Sequence, residues 1–594
     1  MLDKIPQPTR LAYLSLALTG LMMALPFLHY RHENPITAFD QEWWSAILGV
    51  LALLLLVIRD FGQQPEIPRI VQLPVALIVI LLLQLSLSKI AYFDQALLYT
   101  LYLLFAALLT LLGARLRACF GIEKLAAVLA FALLVGTELN ALIAVLQHYQ
   151  WHTPLDEFVV MQISTVVYGN LAQPNHFANY IALGLISLGL LFQQRKLKSH
   201  YVILLAVPLL FAMTLSGSRS SWLYLLLLAC LAWLLARRDT SVRPLLRYSM
   251  LVIAGFGLMH LVVQAMFMIG ADSGTNTVQR LLAYSGGGDT NGSIRLYLWQ
   301  EASLIFLQSP LLGVGFGQFA WHHFQMLPLL RAGNISGFYN NAHSLIFQLA
   351  AETGIAGLLA LFASLGVWFY GLRRTAQGAA HWWGYAILGV LAIHSLLEYP
   401  LWYTYFLAIA SVALGAFDET HYRLTWPKFW RLSVLLILLL GLLTLLQLRS
   451  AYQQLKDTLA IRPVAGNVDE AFQRTREGLA AAHSGLLLPY AEMLIVSYAE
   501  VNADHIKQKI ALGSNAMHFD PIASVVYQQA FFLAQDGQLG AARQLLEQAI
   551  WSYPGNSNAH ALLQNLADKD PAHFSALLEF ALQKEQERAR AVHQ

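Results

Sequence analysis

Residues 339–354 read YNNAHSLIFQLAAETG and take the chain from a long polar loop into a hydrophobic helix. His343 stands at the crossing point, after Asn340 and Asn341 and just before the apolar run. A side chain at such a boundary is half solvated, and an imidazole there can accept or donate a proton because its ordinary pKa is about 6.5. His343 is therefore a candidate general base, although an interfacial histidine with an ordinary hydrogen bond fits the same pattern.

The composition around this stretch is that of a membrane protein. Of 594 residues, 57% are hydrophobic and only 12% are charged, whereas about 25% of the residues in a soluble domain are charged. The two cysteines, Cys119 and Cys230, lie beside a basic loop and inside an apolar run, which argues against a disulfide framework and against metal ligation by cysteine. We expect no metal, no cofactor and no nucleic-acid partner.

Apolar runs long enough to cross a bilayer recur along the chain up to residue 448. A bilayer core requires about 20 apolar residues per helix, and the first run is not interpreted as a cleavable signal peptide because many more follow it. The sequence therefore predicts an all-α polytopic membrane protein with about thirteen transmembrane helices. They lie near residues 11–29, 44–58, 71–88, 96–113, 124–147, 177–193, 201–215, 221–236, 248–270, 343–370, 382–396, 401–416 and 431–448.

Basic residues are concentrated in alternate loops between these runs. By the positive-inside rule, the loops rich in lysine and arginine face the cytoplasm, and the N-terminus with Lys4 and Arg10 lies on the same side. An odd number of spans then places the opposite loops and the C-terminal region on the outer face of the membrane. The outer segments are 148–176, 216–220, 271–342, 397–400 and the region after residue 450.

The outer segments hold nearly every unusual polar residue. Residues 169–180, GNLAQPNHFANY, enter the sixth span with Gln173, Asn175 and His176 where lipid would demand apolar groups. These side chains form either a polar capping cluster or part of a functional site. Arg219 lies in the very short turn between the seventh and eighth spans. Ionisable residues at that depth are rare and usually functional, the alternative being an arginine that snorkels to the interface.

The long outer loop, 271–342, adds two further arginines, Arg280 and Arg295. Residues 294–308 are predicted to form a short amphipathic helix on the membrane that Pro310 stops. The run GVGFG at 313–317 follows a helix and lies in no βαβ pattern, so it is interpreted as a flexible turn that lets backbone approach another group closely.

Glu398 and Tyr399 lie in the short connection between the eleventh and twelfth spans. The glutamate either orients a histidine or an arginine, or caps a helix. Arginines on one face indicate an anionic substrate, because the guanidinium fork matches phosphate oxygens two at a time. Together with His343 they suggest group transfer from a lipid-linked phosphate or pyrophosphate, in which arginines stabilise the leaving group and the histidine accepts or positions a proton.

Six segments together resemble a known family in their order and spacing. They are QPNHFANY, SGSRSSWL, IRLYLWQEA, SPLLGVGFGQF, NNAHSLIFQLAAETGIAGLL and HSLLEYPLWY. The family is the O-antigen ligase and polymerase superfamily of bacterial inner membranes. Within it, the chain looks most like the PglL-type O-linked protein oligosaccharyltransferases, and the resemblance covers most of the chain.

The resemblance implies an inverting, metal-independent transfer of a preassembled glycan from undecaprenyl pyrophosphate to a serine or threonine of a periplasmic protein, often a pilin. The essential histidine of the family corresponds to His343, and its phosphate-binding arginines correspond to Arg219 and Arg295, with Arg280 as an addition. In other members a histidine often stands two residues before the essential one, where this chain has Asn341.

The region after residue 448 has the composition of a separate domain. It becomes polar and mostly helical, and residues 523–556 resemble a tetratricopeptide unit. We therefore expect a transmembrane glycosyltransferase domain at 1–448 and a periplasmic helical domain at 449–594. Stacked helix pairs make a concave surface that binds peptides, so this domain either recruits the acceptor protein or caps the active face.

Two other functions fit parts of the sequence. An O-antigen ligase delivering glycan to the lipid A core, or a polymerase extending the glycan, would share the donor chemistry. The soluble helical tail favours a protein acceptor instead. A lipid-linked sugar flippase or transporter would be expected to show internal repeats and interrupted helices, whereas here no repeat is evident and the polar groups cluster on one face.

Overall fold

A computed structural model describes residues 8–59, 66–162, 166–268, 290–330, 337–373, 378–423, 429–460 and 485–592. The described part of the chain is built from α-helices. In chain order they are α1 Arg10–Met22, α2 Leu25–Leu28, α3 Phe39–Arg59, α4 Gln72–Ser86, α5 Phe93–Phe120, α6 Ile122–Tyr149, α7 Pro174–Gln193, α8 Ser199–Leu215, α9 Ser220–Ala236, α10 Arg243–Met268, α11 Thr290–Gln308, α12 Phe319–Leu330, α13 Leu345–Leu372, α14 Ala379–Ser395, α15 Thr404–Ala416, α16 Trp430–Ala460, α17 Leu488–Tyr498, α18 Ile506–Phe519, α19 Ala523–Gln535, α20 Leu539–Ser552, α21 Ser557–Lys569 and α22 Pro571–Val592.

The helical membrane architecture expected from the sequence is confirmed, and each of the thirteen apolar runs coincides with a helix. Among the described residues, nine helical stretches are long and apolar enough to cross a bilayer. They are Arg10–Leu28, Phe39–Ile58, Arg69–Ser86, Phe93–Phe120, Ile122–Tyr149, Pro174–Gln193, Thr240–Met266, Leu345–Leu372 and Trp430–Thr458. The helices on the other four runs, α8, α9, α14 and α15, have 13 to 17 residues. Thirteen crossings therefore remain a prediction, as does their orientation.

The chain divides into two compact units. Unit 1 contains Met1–Val75, Tyr102–Asp289 and Ala360–Leu446, and unit 2 contains Ala76–Leu101, Thr290–Leu359 and Gln447–Gln594. The C-terminal helices thus belong to the same unit as the stretch that contains His343, although more than a hundred residues separate them along the chain. The expected boundary between residues 448 and 449 stays a prediction.

Unit 1 has one continuous apolar core to which most of its helices contribute. Its packing is closest between the segments of α5 and α15 that carry Gly113 and Gly415. A Cβ atom on Gly113 would lie 2.1 Å from the carbonyl oxygen of Val412, and one on Gly415 would lie 1.9 Å from that of Thr110. Backbone therefore meets backbone here, which is how small residues let membrane helices approach without a hydrophobic driving force between them.

A two-stranded antiparallel ribbon is an element that the sequence analysis missed. Glu66–Pro68 pairs with His421–Arg423. Next to the ribbon, Asp418 accepts a hydrogen bond from the backbone N–H of Ile70 at 2.8 Å. Strands of three residues are too short to show an alternating apolar pattern, so no periodicity could have revealed them.

The C-terminal helices of unit 2 form their own apolar core, and α12 packs into it. Phe324 of α12 belongs to that core, and the ring of Trp321 lies 4.4 Å from that of His518. The backbone N–H of Gly337 also donates to the carbonyl of Ser552 at 2.9 Å. The C-terminal helices therefore contact both ends of the stretch that leads from α12 toward His343.

Within this region, α19 and α20 form the helix pair at which a tetratricopeptide unit is predicted. They are joined by a turn in which Gly537 has a left-handed backbone, with φ +79°. The pairing follows from apolar residues on facing sides, among them Phe531 and Leu546. The repeat assignment itself remains a prediction.

Candidate functional site

The residues singled out from the sequence fall in both compact units. Unit 1 contains Gln173, Asn175, His176, Arg219, Glu398 and Tyr399, whereas unit 2 contains Arg295, Asn341 and His343. Arg280 lies outside the described residues.

Gln173 caps the N-terminus of α7. Its side-chain oxygen accepts from the backbone N–H of His176 at 2.5 Å, and Pro174 occupies the first helical position, where a missing N–H costs nothing. One of the four unpaired N–H groups of the helix start is thereby satisfied. Of the two roles left open by the sequence, Gln173 fills the structural one.

Asn175 connects three of the predicted polar segments. Its side-chain oxygen accepts from the hydroxyl of Ser218 at 2.8 Å, and its side-chain nitrogen donates to Oε1 of Glu398 at 2.8 Å. Glu398 is only 3% exposed, so its carboxylate depends on such donors in place of water. We call Ser218, Asn175 and Glu398 the amide network; it brings together the entry of α7, the turn before α9 and the connection after α14.

The amide network also fixes the turn that presents Arg219. Gly217 has a left-handed backbone, with φ +64°, and the hydroxyl of Ser216 accepts from the backbone N–H of Ser218 at 3.3 Å. Arg219 follows directly as the N-cap residue of α9, and it is exposed on unit 1. A short, internally bonded turn therefore fixes the backbone position from which the Arg219 side chain extends.

Aromatic and imidazole rings fill the space beside the amide network. The ring of His176 stands edge to face against those of His394 and Tyr403, each at 5.1 Å, and the hydroxyl of Tyr224 lies 3.0 Å from Nδ1 of His394. Burial, together with the charge of Glu398, raises the pKa of Tyr399. The phenol thus remains protonated at neutral pH and retains a hydrogen to donate.

Asn170 has a structural role in the same segment. Its side-chain nitrogen donates to the carbonyls of Leu28 and Phe158, each at 2.8 Å, and its side-chain oxygen accepts from the N–H of Val160 at 3.1 Å. A buried amide with all these partners holds loops together rather than binding a ligand.

In unit 2, His343 lies in a tightly bonded loop. We call residues 339–344 the His343 loop. The side-chain oxygen of Asn341 accepts from the backbone N–H of His343 at 2.8 Å, and that of Gln348 reaches back to accept from the N–H of Ala342 at 2.6 Å. Helix α13 begins at Leu345. The backbone at His343 and at the residue before it is therefore fixed by amide side chains.

His343 itself has a left-handed backbone, with φ +51°. For a residue with a Cβ atom this conformation is uncommon and costs on the order of 1 kcal/mol or more. The side chain is half-buried. A strained backbone held in place by specific hydrogen bonds is characteristic of functional positions, and it supports the choice of His343 over an ordinary interfacial histidine.

Helix α11, which carries Arg295, packs beside the start of α13. The ring of Trp299 stacks on that of Phe347 at 5.1 Å, and Leu298 shares an apolar core with Ala342 of the His343 loop. The helix predicted for residues 294–308 is confirmed, and it begins four residues earlier, at Thr290.

The glycine run predicted to allow a close approach meets the backbone of α13. We call residues 309–317 the glycine loop. The N–H groups of Val314 and Gly315 donate to the carbonyls of Ala351 and Glu352 at 3.0 and 3.2 Å. Helix α13 is broken at that point, since Gly354 has φ +63° and ψ −156°. The glycine loop thus supplies partners for backbone groups that the helix leaves unpaired.

Residues at the end of the third apolar run and directly after it hold the glycine loop by hydrogen bonds. The side-chain nitrogen of Gln84 donates to the carbonyls of Leu312 and Glu352, and its oxygen accepts from the N–H of Phe316 at 2.9 Å. Lys89 donates to the carbonyl of Gly313 at 2.9 Å. Sequence reasoning missed both residues, because neither forms a motif with its neighbours in the chain.

A second missed pair is buried near the His343 loop. Oε2 of Glu301 lies 2.7 Å from Nδ1 of His323, and both side chains are almost fully buried. Glu301 occupies the apolar face of α11, at helical spacing from Leu298, Ala302 and Ile305. A carboxylate in a mostly apolar helical segment was the available signal. His323 has no comparable signal in the sequence.

Family models match the chain over the segments that hold these residues. The model for "O-Antigen ligase" matches residues 203–362, and the model for "Protein glycosylation ligase" matches 167–192. A third, "Virulence factor membrane-bound polymerase, C-terminal", matches 382–567. All the predicted site residues lie inside one of these ranges.

Two curated proteins of Acinetobacter baylyi are similar to the chain. A general O-oligosaccharyltransferase is 28% identical over 419 residues, which cover 68% of this chain and 69% of that protein. A ComP-specific O-oligosaccharyltransferase is 23% identical over 364 residues, which cover 61% of this chain and 63% of that protein. The similarity to the second relative thus spans slightly less than two thirds of its length.

Proposed function

We propose that this chain, a homologue of the O-oligosaccharyltransferases and hence a glycosyltransferase, transfers a preassembled oligosaccharide from undecaprenyl pyrophosphate to an acceptor protein. The acceptor residue is a serine or threonine of a periplasmic protein such as a pilin. The reaction takes place at the periplasmic face of the bacterial inner membrane, in which the chain is a multi-pass protein.

The observation that carries this proposal is the fixed backbone of His343. Its left-handed conformation is held by the side chains of Asn341 and Gln348, which accept from the backbone N–H groups of His343 and Ala342. Such preorganisation costs stability, and it is useful where an imidazole must meet a reacting group in one orientation.

The proposed transfer proceeds by direct displacement with inversion. The acceptor hydroxyl oxygen forms a bond to the anomeric carbon of the glycan, and the bond from that carbon to the pyrophosphate oxygen breaks. The bonding electrons leave with undecaprenyl pyrophosphate, and the hydroxyl proton passes to the imidazole of His343, which acts as general base.

The arginines stabilise the negative charge that develops on the leaving group. Arg219 and Arg295 bind the phosphates through their planar forks, and Arg280 adds a further positive charge. They stabilise the leaving phosphates as a divalent metal ion does in other transferases, so the proposed reaction is metal-independent.

The remaining residues support these groups. Asn341 holds the His343 loop, and Gln173 caps the start of α7. Asn175 and Glu398 keep the turn before Arg219 in place, with His176 and Tyr399 packed beside them. The C-terminal helices recruit the acceptor protein, because helix pairs of this kind offer an extended surface for a peptide.

A second candidate is an O-antigen ligase that delivers the glycan to the lipid A core, or a polymerase that extends the glycan. The descriptions of two of the matching family models favour it. The donor chemistry and the role of His343 would be the same, and only the acceptor hydroxyl would differ.

In vitro transfer tests the proposal. Purified protein is incubated with an undecaprenyl-pyrophosphate glycan and either a pilin or a lipid A core acceptor, and the products are measured by intact mass. A glycan-sized gain on the pilin, lost in His343→Ala and unaffected by chelators, is the expected result. A mass gain on the lipid A core alone would favour the ligase or polymerase over the protein glycosyltransferase. A mass gain on neither acceptor would reject both functions.

A further inference from the structure

Glu301 and His323 form a buried pair that joins α11 to α12. Oε2 of Glu301 lies 2.7 Å from Nδ1 of His323, and the two side chains are 0% and 1% exposed. The residues around them in unit 2 are apolar or aromatic, including Leu298, Ala302 and Phe319. The pair is therefore shielded from water on both helices.

Stability does not explain why such a pair is present. Nε2 of His323 is also buried and has no hydrogen-bond partner among the residues that the structure describes, while Tyr297, one turn before Glu301 on the same helix, interacts with its carboxylate. Removing a carboxylate and an imidazole from water is costly, and apolar residues of similar volume at buried ionic positions are often equally or more stable. A buried, incompletely bonded pair thus calls for a role other than holding two helices together.

A continuous series of ring contacts runs from this pair to the candidate base. The ring of His323 stands edge to face against that of Tyr339, with centroids 5.6 Å apart and planes at 88°. The ring of Tyr339 in turn lies 6.4 Å from that of His343, at 67°. Each contact lies within unit 2, and the series connects α11 and α12 to the His343 loop.

We propose that Glu301 and His323 are positioning residues for His343. Glu301 accepts the Nδ1 hydrogen of His323 and so fixes the plane of that ring, as a carboxylate does for other functional histidines. The fixed ring holds Tyr339 by edge-to-face packing. Tyr339 then limits the orientations open to the imidazole of His343, whose backbone is already fixed. This inference rests on the proposed transferase function.

A double substitution separates positioning from stability. Glu301→Leu with His323→Phe replaces the pair by apolar groups of similar size, retains a ring near Tyr339 and leaves no buried charge. Positioning predicts a folded protein whose kcat falls roughly tenfold to hundredfold, since small displacements of a catalytic group have effects of that size. The KM for the acceptor stays unchanged, because neither residue contacts the acceptor.

Conservative variants supply the matched comparison. Glu301→Gln retains an oxygen that can accept from Nδ1, so its kcat is expected within about threefold of wild type. Tyr339→Phe keeps the ring that contacts His343, whereas Tyr339→Leu removes it. Tyr92→Phe with Glu492→Leu serves as the control, because it removes another buried hydrogen-bonded pair of unit 2, with a 2.5 Å contact, outside this series of rings.

The experiment measures kcat and acceptor KM for all these variants in the pilin transfer assay, with melting temperatures measured in parallel. Wild-type kcat in the double variant, or equal kcat in Tyr339→Leu and Tyr339→Phe, would overturn the inference. Should the double variant fail to fold, the comparison of Tyr339→Leu with Tyr339→Phe decides the outcome, because Tyr339 is only half-buried. Absence of transfer by the wild type would instead reject the proposed function, so the two failures are distinguishable.

Discussion

Gly313 and Glu352 approach so closely that a Cβ atom on the glycine would lie 2.1 Å from the carbonyl carbon of Glu352. Gly313 also has a left-handed backbone, with φ +69°. The contact holds the glycine loop against the broken part of α13, one turn beyond Gln348, which is bonded to the His343 loop. The backbone geometry of the candidate site therefore depends on a residue without a side chain.

Gly313→Ala is expected to destabilise the protein by roughly 3 kcal/mol or more, because backbone strain and a clash with backbone atoms act together. Gly366→Ala is the matched control: it lies in the same helix, α13, with open space around its Cβ position. Melting temperatures in detergent compare the two variants. Equal melting temperatures for Gly313→Ala and Gly366→Ala would show that the glycine loop can shift at little cost and does not stabilise α13.

Asn175→Leu is expected to abolish most transfer while the protein still folds. The substitution removes the amide hydrogen bond to Glu398 and the acceptor of the Ser218 hydroxyl. The turn that precedes Arg219 is then no longer held to the start of α7. Hydrogen bonds to charged groups contribute about 1.5–3 kcal/mol each. Ser218→Ala removes only the neutral bond and should have a smaller effect. The measurement is the transfer rate of each variant. A larger loss of transfer in Ser218→Ala than in Asn175→Leu would contradict this account of the amide network.

Two titratable residues of unit 2 are expected to influence stability in opposite directions between pH 4 and pH 7. Burial, together with His518 and Lys89, lowers the pKa of His322 to about 4. Burial raises the pKa of Asp520 to about 7, and one of its carboxyl oxygens has no hydrogen-bond partner among the described residues. Between pH 4 and about 6.5 the unfolded chain binds more protons at His322, so this residue makes stability rise with pH. The folded chain binds more protons at Asp520, so that residue makes stability fall with pH.

Single substitutions should reveal the two opposing slopes. His322→Gln removes the contribution of His322, so the difference between its melting temperature and that of the wild type should fall as pH rises from 4 to 7. Asp520→Asn removes the contribution of Asp520, so the difference between its melting temperature and that of the wild type should rise over the same range. Each contribution amounts to at most roughly 3–4 kcal/mol, since the two pKa shifts are about 2.5 and 3 units and one pKa unit is about 1.4 kcal/mol. Parallel pH profiles for both variants would show that the groups titrate normally.

Phe324→Ala is expected to loosen the contact between α12 and the C-terminal helices. The ring is 1% exposed within their core, and truncating a buried phenylalanine costs about 3–5 kcal/mol. Because α12 leads into the stretch before His343, transfer should fall together with resistance to limited proteolysis. Tyr498→Ala serves as the control, since that side chain is 73% exposed. Normal transfer by a protease-sensitive Phe324→Ala protein would show that this packing does not support the site.

Local signals account for what the sequence predicted. Length and hydrophobicity were enough to locate a helix at every apolar run, since helices depend on contiguous residues. The motifs that contain Asn175, Ser218 and Glu398 were identified one by one, and the structure joins them in the amide network. A sequence can reveal unusual polar residues in apolar surroundings without revealing which of them form a bond.

Contacts between residues distant in the chain, and unusual backbone conformations, could not be predicted from local sequence. Gln84 donates to the carbonyl of Leu312, 228 positions away, and no pattern near either residue indicates the contact. The left-handed backbone of His343 is equally hidden, because only glycine, and to a lesser degree asparagine and aspartate, signal such a conformation through residue type. Glu301 was the exception, since a carboxylate in a mostly apolar helical segment was visible in the sequence.

Substitutions at His343 should separate activity from stability. His343→Ala and His343→Gly both remove the imidazole, so both are expected to lose transfer. They differ in backbone strain, because glycine adopts φ +51° without cost whereas alanine does not. The glycine variant should therefore melt above the alanine variant by the equivalent of roughly 1 kcal/mol, and no lower than the wild type. An inactive but fully stable glycine variant would identify His343 as a residue kept in a strained conformation for its chemistry. A glycine variant that melts below the wild type would instead mean that the imidazole contributes more to stability than its backbone strain costs.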